Sequence, residues 1–277
     1  MPTPPAPLNR LRKEWREGRP TFGAIATIPS IQTVRVMAQS LDWIIVDLEH
    51  GPIDLGSAHA MITATAGTPC VPMVRIAANE PWLAKAPMDL GALGINFPMI
   101  CNRTDAEKAV RSVRYPPRGD RLWGPFHAPY RFGVSMADYM ATADDDMICM
   151  VTIEHVEAVN RIDEIMATPG IDIAVIGPGD LATSIDKRGL IDDPEVVDLM
   201  ARAEAACFRF AVCRKHQAFS RPCRDRLRLY GWRLQHNGSK PGSPHRHLRG
   251  AQRLIPSRLA VMPRWNSDQS KPSASST

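Results

Sequence analysis

Six short, almost wholly apolar runs recur along the first two-thirds of the chain. They are TFGAIATI (21–28), DWIIVDLEH (42–50), TPCVPMVRIA (68–77), GINFPMI (94–100), MICMVTIEH (147–155) and IDIAVIGPGD (171–180). A strand with water on one face alternates apolar and polar residues, whereas a strand buried on both faces reads as an unbroken apolar run. Between most of these runs lie segments of helical spacing, among them 30–40, 57–66, 104–113, 156–167 and 194–206. An earlier helix is expected from Leu8, Leu11 and Trp15, ended by EGRP. The longer segment 114–146 also carries a loop, RYPPRGDRLWGPF. Buried strands alternating with helices imply a parallel sheet covered on both faces. The number and spacing of the units suit a (β/α)₈ barrel, with a doubly wound open sheet as the other candidate. No glycine-rich dinucleotide fingerprint follows the first run, which argues against the open sheet.

Charge divides the chain in two. From Cys207 to the end there are 15 Lys and Arg against 2 Asp and Glu, so residues 1–206 hold the other 19 basic and 27 acidic side chains. A break of that size implies a separate module or tail. Two domains are therefore expected, a barrel domain over 1–206 and a basic, low-complexity segment over 207–277 with no strand–helix pair, disordered at SKPSASST. The first ten residues hold no apolar run, no segment approaches the roughly 20 apolar residues that span a bilayer, and the six cysteines show no CxxC pair. A cytoplasmic protein with reduced thiols and no membrane contact is the expectation.

In a parallel barrel, chemistry sits at the C-terminal ends of the strands. Four runs end in charged groups there. The second ends in Asp47, Glu49 and His50, the third in Arg75, the fifth in Glu154, and the sixth in Asp180 after Gly177-Pro178-Gly179. Two carboxylates on neighbouring strands without a histidine pair suit a hard divalent cation, Mg²⁺ or Mn²⁺. Such an ion can hold a 2-oxo acid and stabilise its enolate, with Arg75 sharing the charge and His50 moving the proton. The glycines of GPGD would let backbone N–H groups approach an anionic carboxylate. Plainer readings exist for each residue taken singly: a helix cap for a strand-end carboxylate, a structural role for a lone histidine, a turn for Gly-Pro-Gly. Spacing alone leaves the reaction open.

The segments DWIIVDLEHGP, VRIAANEPWLAKAPMDLGALGINFPMI, AVRSVRYPPRGDR, VTIEHVEAVNRIDEI and GIDIAVIGPGDLATS resemble, in order over about residues 8–206, those of the HpcH/HpaI family of class II metal-dependent pyruvate aldolases. The resemblance implies a barrel of the phosphoenolpyruvate/pyruvate type, commonly hexameric, that cleaves a 4-hydroxy-2-oxo acid to pyruvate and an aldehyde. It implies Glu154 and Asp180 as ligands of Mg²⁺, Mn²⁺ or Co²⁺, His50 as the catalytic histidine and Arg75 as the enolate-stabilising arginine. Asp89 of MDLGA matches an aspartate that works with that histidine across a subunit contact, Asp47 and Glu49 shape the site by hydrogen bonding, and Asp47 is expected with Gly177 and Gly179 among the substrate-binding residues. Departures are Thr152 where the family often has Gln, Ala78-Asn79-Glu80-Pro81 in place of WNDP, and LWGPFHAPYRFG in place of an RGVG-type loop. The family's last two strands and closing helix have no counterpart after Ala206, so about six of eight units are expected, followed by an out-of-frame tail. Rival readings are an acyl-CoA lyase or oxaloacetate decarboxylase of the same superfamily, an inactive truncated product, and a nucleic-acid binder acting through the basic tail, for which no motif speaks.

Overall fold

A computed structural model describes residues 8–215 and 260–261. Each of the six apolar runs contains a strand: β1 (Gly23–Ala26), β2 (Trp43–Asp47), β3 (Val71–Arg75), β4 (Gly94–Phe97), β5 (Ile148–Ile153) and β6 (Ile173–Ile176). They pair in chain order and all in parallel, forming a curled half-barrel. Register places Trp43 beside Gly23 and Val71, and Asp47 beside Arg75. A two-residue strand, β7 (Ala260–Val261), lies antiparallel on the outer edge of β6. The expectation of an incomplete barrel of about six units is met.

The helices are α1 (Leu11–Arg16), α2 (Ile31–Met37), α3 (Leu55–Ala64), α4 (Pro81–Asp89), α5 (Arg103–Ser112), α6 (Ala128–Phe132), α7 (Met136–Asp146), α8 (Val156–Asn160), α9 (Ile162–Ala167), α10 (Pro178–Thr183) and α11 (Pro194–Lys215). Ser30, Asp54, Asn102 and Ser135 cap α2, α3, α5 and α7, each accepting the backbone N–H three residues on. These caps satisfy amides that have no helical carbonyl and fix where each helix begins. The single helix expected over 156–167 is two short ones that meet at Arg161, whose φ of −111° and ψ of 19° leave the helical region.

Side chains alternate across each strand. Trp43, Ile45, Val71, Met73, Ile148, Met150 and Ile173 point into the lumen, where Leu11 and Trp15 of α1 join them and close the base. Ile44, Val46, Val74, Ile95, Cys149, Val151 and Ala174 point outward into the larger core beneath the helices. Both faces are apolar, which is why the strands read as unbroken runs. The helix expected to end at 206 continues to Lys215, with Cys207 buried in the outer core and Phe210 packed against it. The rest of the basic segment, apart from Ala260 and Val261, lies outside the described residues, and so does the expectation of a disordered terminus.

Candidate active site

The lumen-facing alternation of β2 ends on Asp47, whose side chain is fully buried. A buried carboxylate needs partners, and Asp47 has four. Its Oδ1 accepts the backbone N–H groups of Glu49 (3.1 Å) and His50 (3.3 Å), which folds the EHGP turn back over the strand end. Arg75, its register neighbour on β3, donates Nε to Oδ1 (2.8 Å) and Nη2 to Oδ2 (2.5 Å). Burial opposes ionisation of Asp47, but the Arg75 fork outweighs it and holds the carboxyl below its ordinary value. Burial likewise disfavours the Arg75 charge, and Asp47 and Glu49 more than restore it.

Glu49 lies over this pair, its Oε2 3.2 Å from Arg75 Nε and 3.7 Å from His50 Nε2. Burial raises the Glu49 carboxyl, with Arg75 and His50 pulling it back. The His50 side chain is 58% exposed, placing the imidazole where an incoming molecule can reach it.

Glu154 follows the last residue of β5 and is 4% exposed. Its Oε1 accepts the N–H of Met99 at 2.7 Å. Burial, only partly relieved by that bond and reinforced by Glu49 and Asp180, pushes its carboxyl up to about 7. Gly177 makes the space for it: a Cβ there would lie 2.8 Å from Glu154 Cβ and 3.0 Å from Oε2. Two expectations are corrected here. Asp180 does not end a strand, because β6 stops at Ile176 and Asp180 stands exposed in the first turn of α10, where helix N–H groups favour a carboxylate. The Gly177 N–H does not face an anion, because it donates to Ile153 O at 3.1 Å. Gly179 is different: it is exposed in the first turn of α10, and nothing lies within 4 Å of where its Cβ would be.

Negative charge thus accumulates here: Asp180 raises the carboxyls of Glu49 and Glu154, Glu49 also raises Glu154, and Arg75 offsets both glutamates. Two of the Arg75 donors are already taken by Asp47. Such a donor set fits a hard divalent cation. Among the described residues no group of three or more His, Cys, Asp or Glu side chains is arranged to hold a metal. Two protein carboxylates with water and substrate filling the remaining positions is the way Mg²⁺ is usually bound.

The structure brings Asp47, Glu49, His50, Arg75, Glu154 and Asp180 to one end of the sheet. Asp89 is not among them. It ends α4, which runs back toward the start of β4, and its Oδ1 accepts from Arg121 Nη2 at 3.2 Å. Burial raises its carboxyl, and Arg121 partly offsets that. Sequence reasoning missed Met99, whose φ of 53° turns its N–H onto Glu154; nothing in its residue type announces that role. It also missed Asn96, whose Oδ1 accepts from the Thr152 hydroxyl at 2.9 Å in the lumen. A polar residue inside the apolar run GINF was the available signal for it.

A parallel half-barrel whose mouth pools an arginine, a histidine and several carboxylates defines an enzyme that works on an anionic substrate at the C-terminal ends of its strands. The model of the HpcH/HpaI aldolase/citrate lyase family matches residues 29–220, and the chain belongs to that family. Over 212 residues it is 35% identical to a hydroxypyruvate/pyruvate aldolase of Agrobacterium fabrum, covering 76% of this chain and 79% of the relative. It is 36% identical over 155 residues to a 5-keto-4-deoxy-D-glucarate aldolase of Shigella boydii, covering 56% of this chain and 60% of the relative. Among solved structures, an HpcH/HpaI aldolase/citrate lyase family protein from Burkholderia cenocepacia superposes with a TM-score of 0.68 at 34% identity, covering 73% of this chain and 81% of that one. The protein is an aldolase-type lyase. No helix among the described residues is long and apolar enough to cross a membrane.

Proposed function

We propose that the protein catalyses divalent-metal-dependent retro-aldol cleavage of a 4-hydroxy-2-oxo acid to pyruvate and an aldehyde. The observation that carries this reading is the mouth itself, where an Asp47-oriented Arg75 and an exposed His50 flank two carboxylates, Glu154 and Asp180, that form no ion pair among the described residues. Glu154 and Asp180 would hold the ion, which when bound supplies Lewis-acid polarisation of the 2-oxo group. His50 takes the proton of the 4-hydroxyl, the C3–C4 bond breaks, and the aldehyde leaves as the electron pair passes into the enolate of pyruvate. Arg75 is held by Asp47 through Nε and Nη2, which leaves Nη1 to meet the charge that develops. A proton returned to C3 completes pyruvate. Gly179, exposed in the first turn of α10, is placed to let the substrate carboxylate approach the backbone.

The same reading makes the protein a homo-oligomer, a hexamer in keeping with the family resemblance, in which Asp89 serves the partner subunit's His50. In support, Asp89 lines a shallow cavity of about 540 Å³ with Trp82, His59 and Leu55, and Trp82 is 69% exposed. Exposed apolar surface of this kind is common where subunits meet.

Chelator is expected to abolish pyruvate release and Mg²⁺ or Mn²⁺ to restore it. His50→Ala should lower kcat about 10²–10⁴-fold, the usual contribution of a positioned general base. Unchanged turnover in both experiments would place the chemistry elsewhere.

A further inference from the structure

At the other end of the barrel, around the N-terminal ends of β3 and β4, a cavity of about 610 Å³ opens beside α6. Its apolar walls include Leu93, Phe132 and Val134, and two guanidinium groups, Arg10 and Arg131, border it. Arginines at this end are otherwise neutralised. Arg10 pairs with Asp42 at 2.5 Å and Glu14 at 3.3 Å, and Arg12 with Asp172 at 2.5 Å. Arg131 is the exception. Among the described residues it has no carboxylate partner; its one side-chain hydrogen bond runs from Nη2 to Thr65 Oγ1 at 2.6 Å, and its buried Nε has no acceptor. The guanidinium is stacked 4.6 Å over the Phe132 ring, which holds it in place. The titratable group that acts on it is Cys70, whose thiol burial pushes up to about 12 and so keeps neutral. A half-buried cation with no carboxylate partner among the described residues, beside a cavity with apolar walls, is costly to maintain unless something occupies the space.

We propose that this cavity is a binding site for a small monocarboxylate with an apolar body, its carboxylate on Arg131 and its chain against Leu93, Phe132 and Val134. Asp138, on the rim, limits the ligand to one negative charge. Its own carboxylate accepts the Ser135 hydroxyl at 2.7 Å and forms no ion pair with Arg131. The site is remote from the catalytic mouth and does not depend on the reaction assigned there.

Calorimetric titration of the full chain with hexanoate, hexan-1-ol and hexylammonium tests this. Hexanoate should bind at least tenfold more tightly than the alcohol, as one charge-assisted contact requires, and the ammonium should not bind. Arg131→Gln removes the cation, while Val134→Trp fills the cavity without touching any charge. Each should weaken hexanoate at least tenfold, and because they act at separate positions either one decides if the other fails to fold. Absence of hexanoate binding, equal binding of the alcohol, or undiminished binding in a folded variant overturns the proposal.

Discussion

Asp47 never needs to touch a substrate to govern the mouth. It accepts two backbone N–H groups from the turn that carries His50 and two from Arg75, so one side chain sets the positions of both groups. In Asp47→Asn, one oxygen becomes an amide that presents hydrogens to a guanidinium. Loss of charge-assisted bonds should cost about 1.5–3 kcal/mol in denaturant unfolding, and kcat should fall with it because Arg75 is no longer held. An Asp47→Asn enzyme with full kcat would show that Arg75 needs no such hold. The two glycines nearby separate along similar lines. Gly177→Ala would press a methyl into Glu154, so metal affinity and turnover should collapse, whereas Gly179→Ala meets open space and should bind the ion normally. Calorimetric Mn²⁺ titration of both variants reads the difference directly, and equal affinities would mean that Glu154 is not a ligand.

At the scale of elements, the period of two runs through the mouth as well as the core. The lumen positions that hold Ile45, Met73 and Met150 are followed two residues later by Asp47, Arg75 and Thr152, with Asn96 on β4 beside Arg75. The polar layer is therefore the next storey of the same stack. That is why the strand-end charges could be read from sequence: they stand in register with an apolar pattern that already fixes which face is inside. What could not be read obeys other rules. Helix α4 was not one of the helices that spacing singled out, and it carries Pro81 at its start and Pro87 within it; tertiary burial of Ala84, Pro87 and Met88 carries the helix past Pro87. Asp180 was assigned to a strand end because GPGD follows an apolar run without a break, yet Pro178 suits the first turn of a helix. The base of the barrel was also illegible, because its contacts are distant in sequence. Asp172, buried before β6, binds Arg12 of α1 through both oxygens and lies 3.6 Å from Arg114. Burial opposes its charge, but the arginines win and hold its carboxyl below the usual 3.8. The stability this gives is complete above that value and lost as pH falls through the depressed one. Asp172→Asn should lose roughly 3–5 kcal/mol at pH 7, since it leaves a buried arginine poorly matched. It should also flatten the acid limb of the stability–pH curve. A variant with wild-type acid sensitivity would assign that limb to other carboxylates.

For the whole molecule, six parallel strands leave the outer edge of β1 without a strand partner among the described residues, and β6 is covered there only by Ala260–Val261. We propose that the basic segment after the family-like helix is read out of frame, since acidic residues nearly vanish there while Arg, Ser, Pro and His accumulate. Burial of Cys207 and packing of Phe210 put the switch later than the charge count alone does, beyond residue 210. Translating the other two frames of the coding DNA downstream of that point should give two further apolar strands and a closing helix. A chain restored in this way should turn over faster than the one written here. If neither frame yields strands, the tail is genuine and the half-barrel needs another explanation.

The plug at the base also sets an order of events at the ribosome. α1 emerges long before the groups it binds, for Asn9 beside it waits for Asp146 and Arg12 for Asp172, partners separated by 137 and 160 positions. At roughly 5–20 residues per second of synthesis, an amphipathic helix with Leu11 and Trp15 exposed must persist for about ten seconds or more before its seat exists. A holding chaperone would find its first client here.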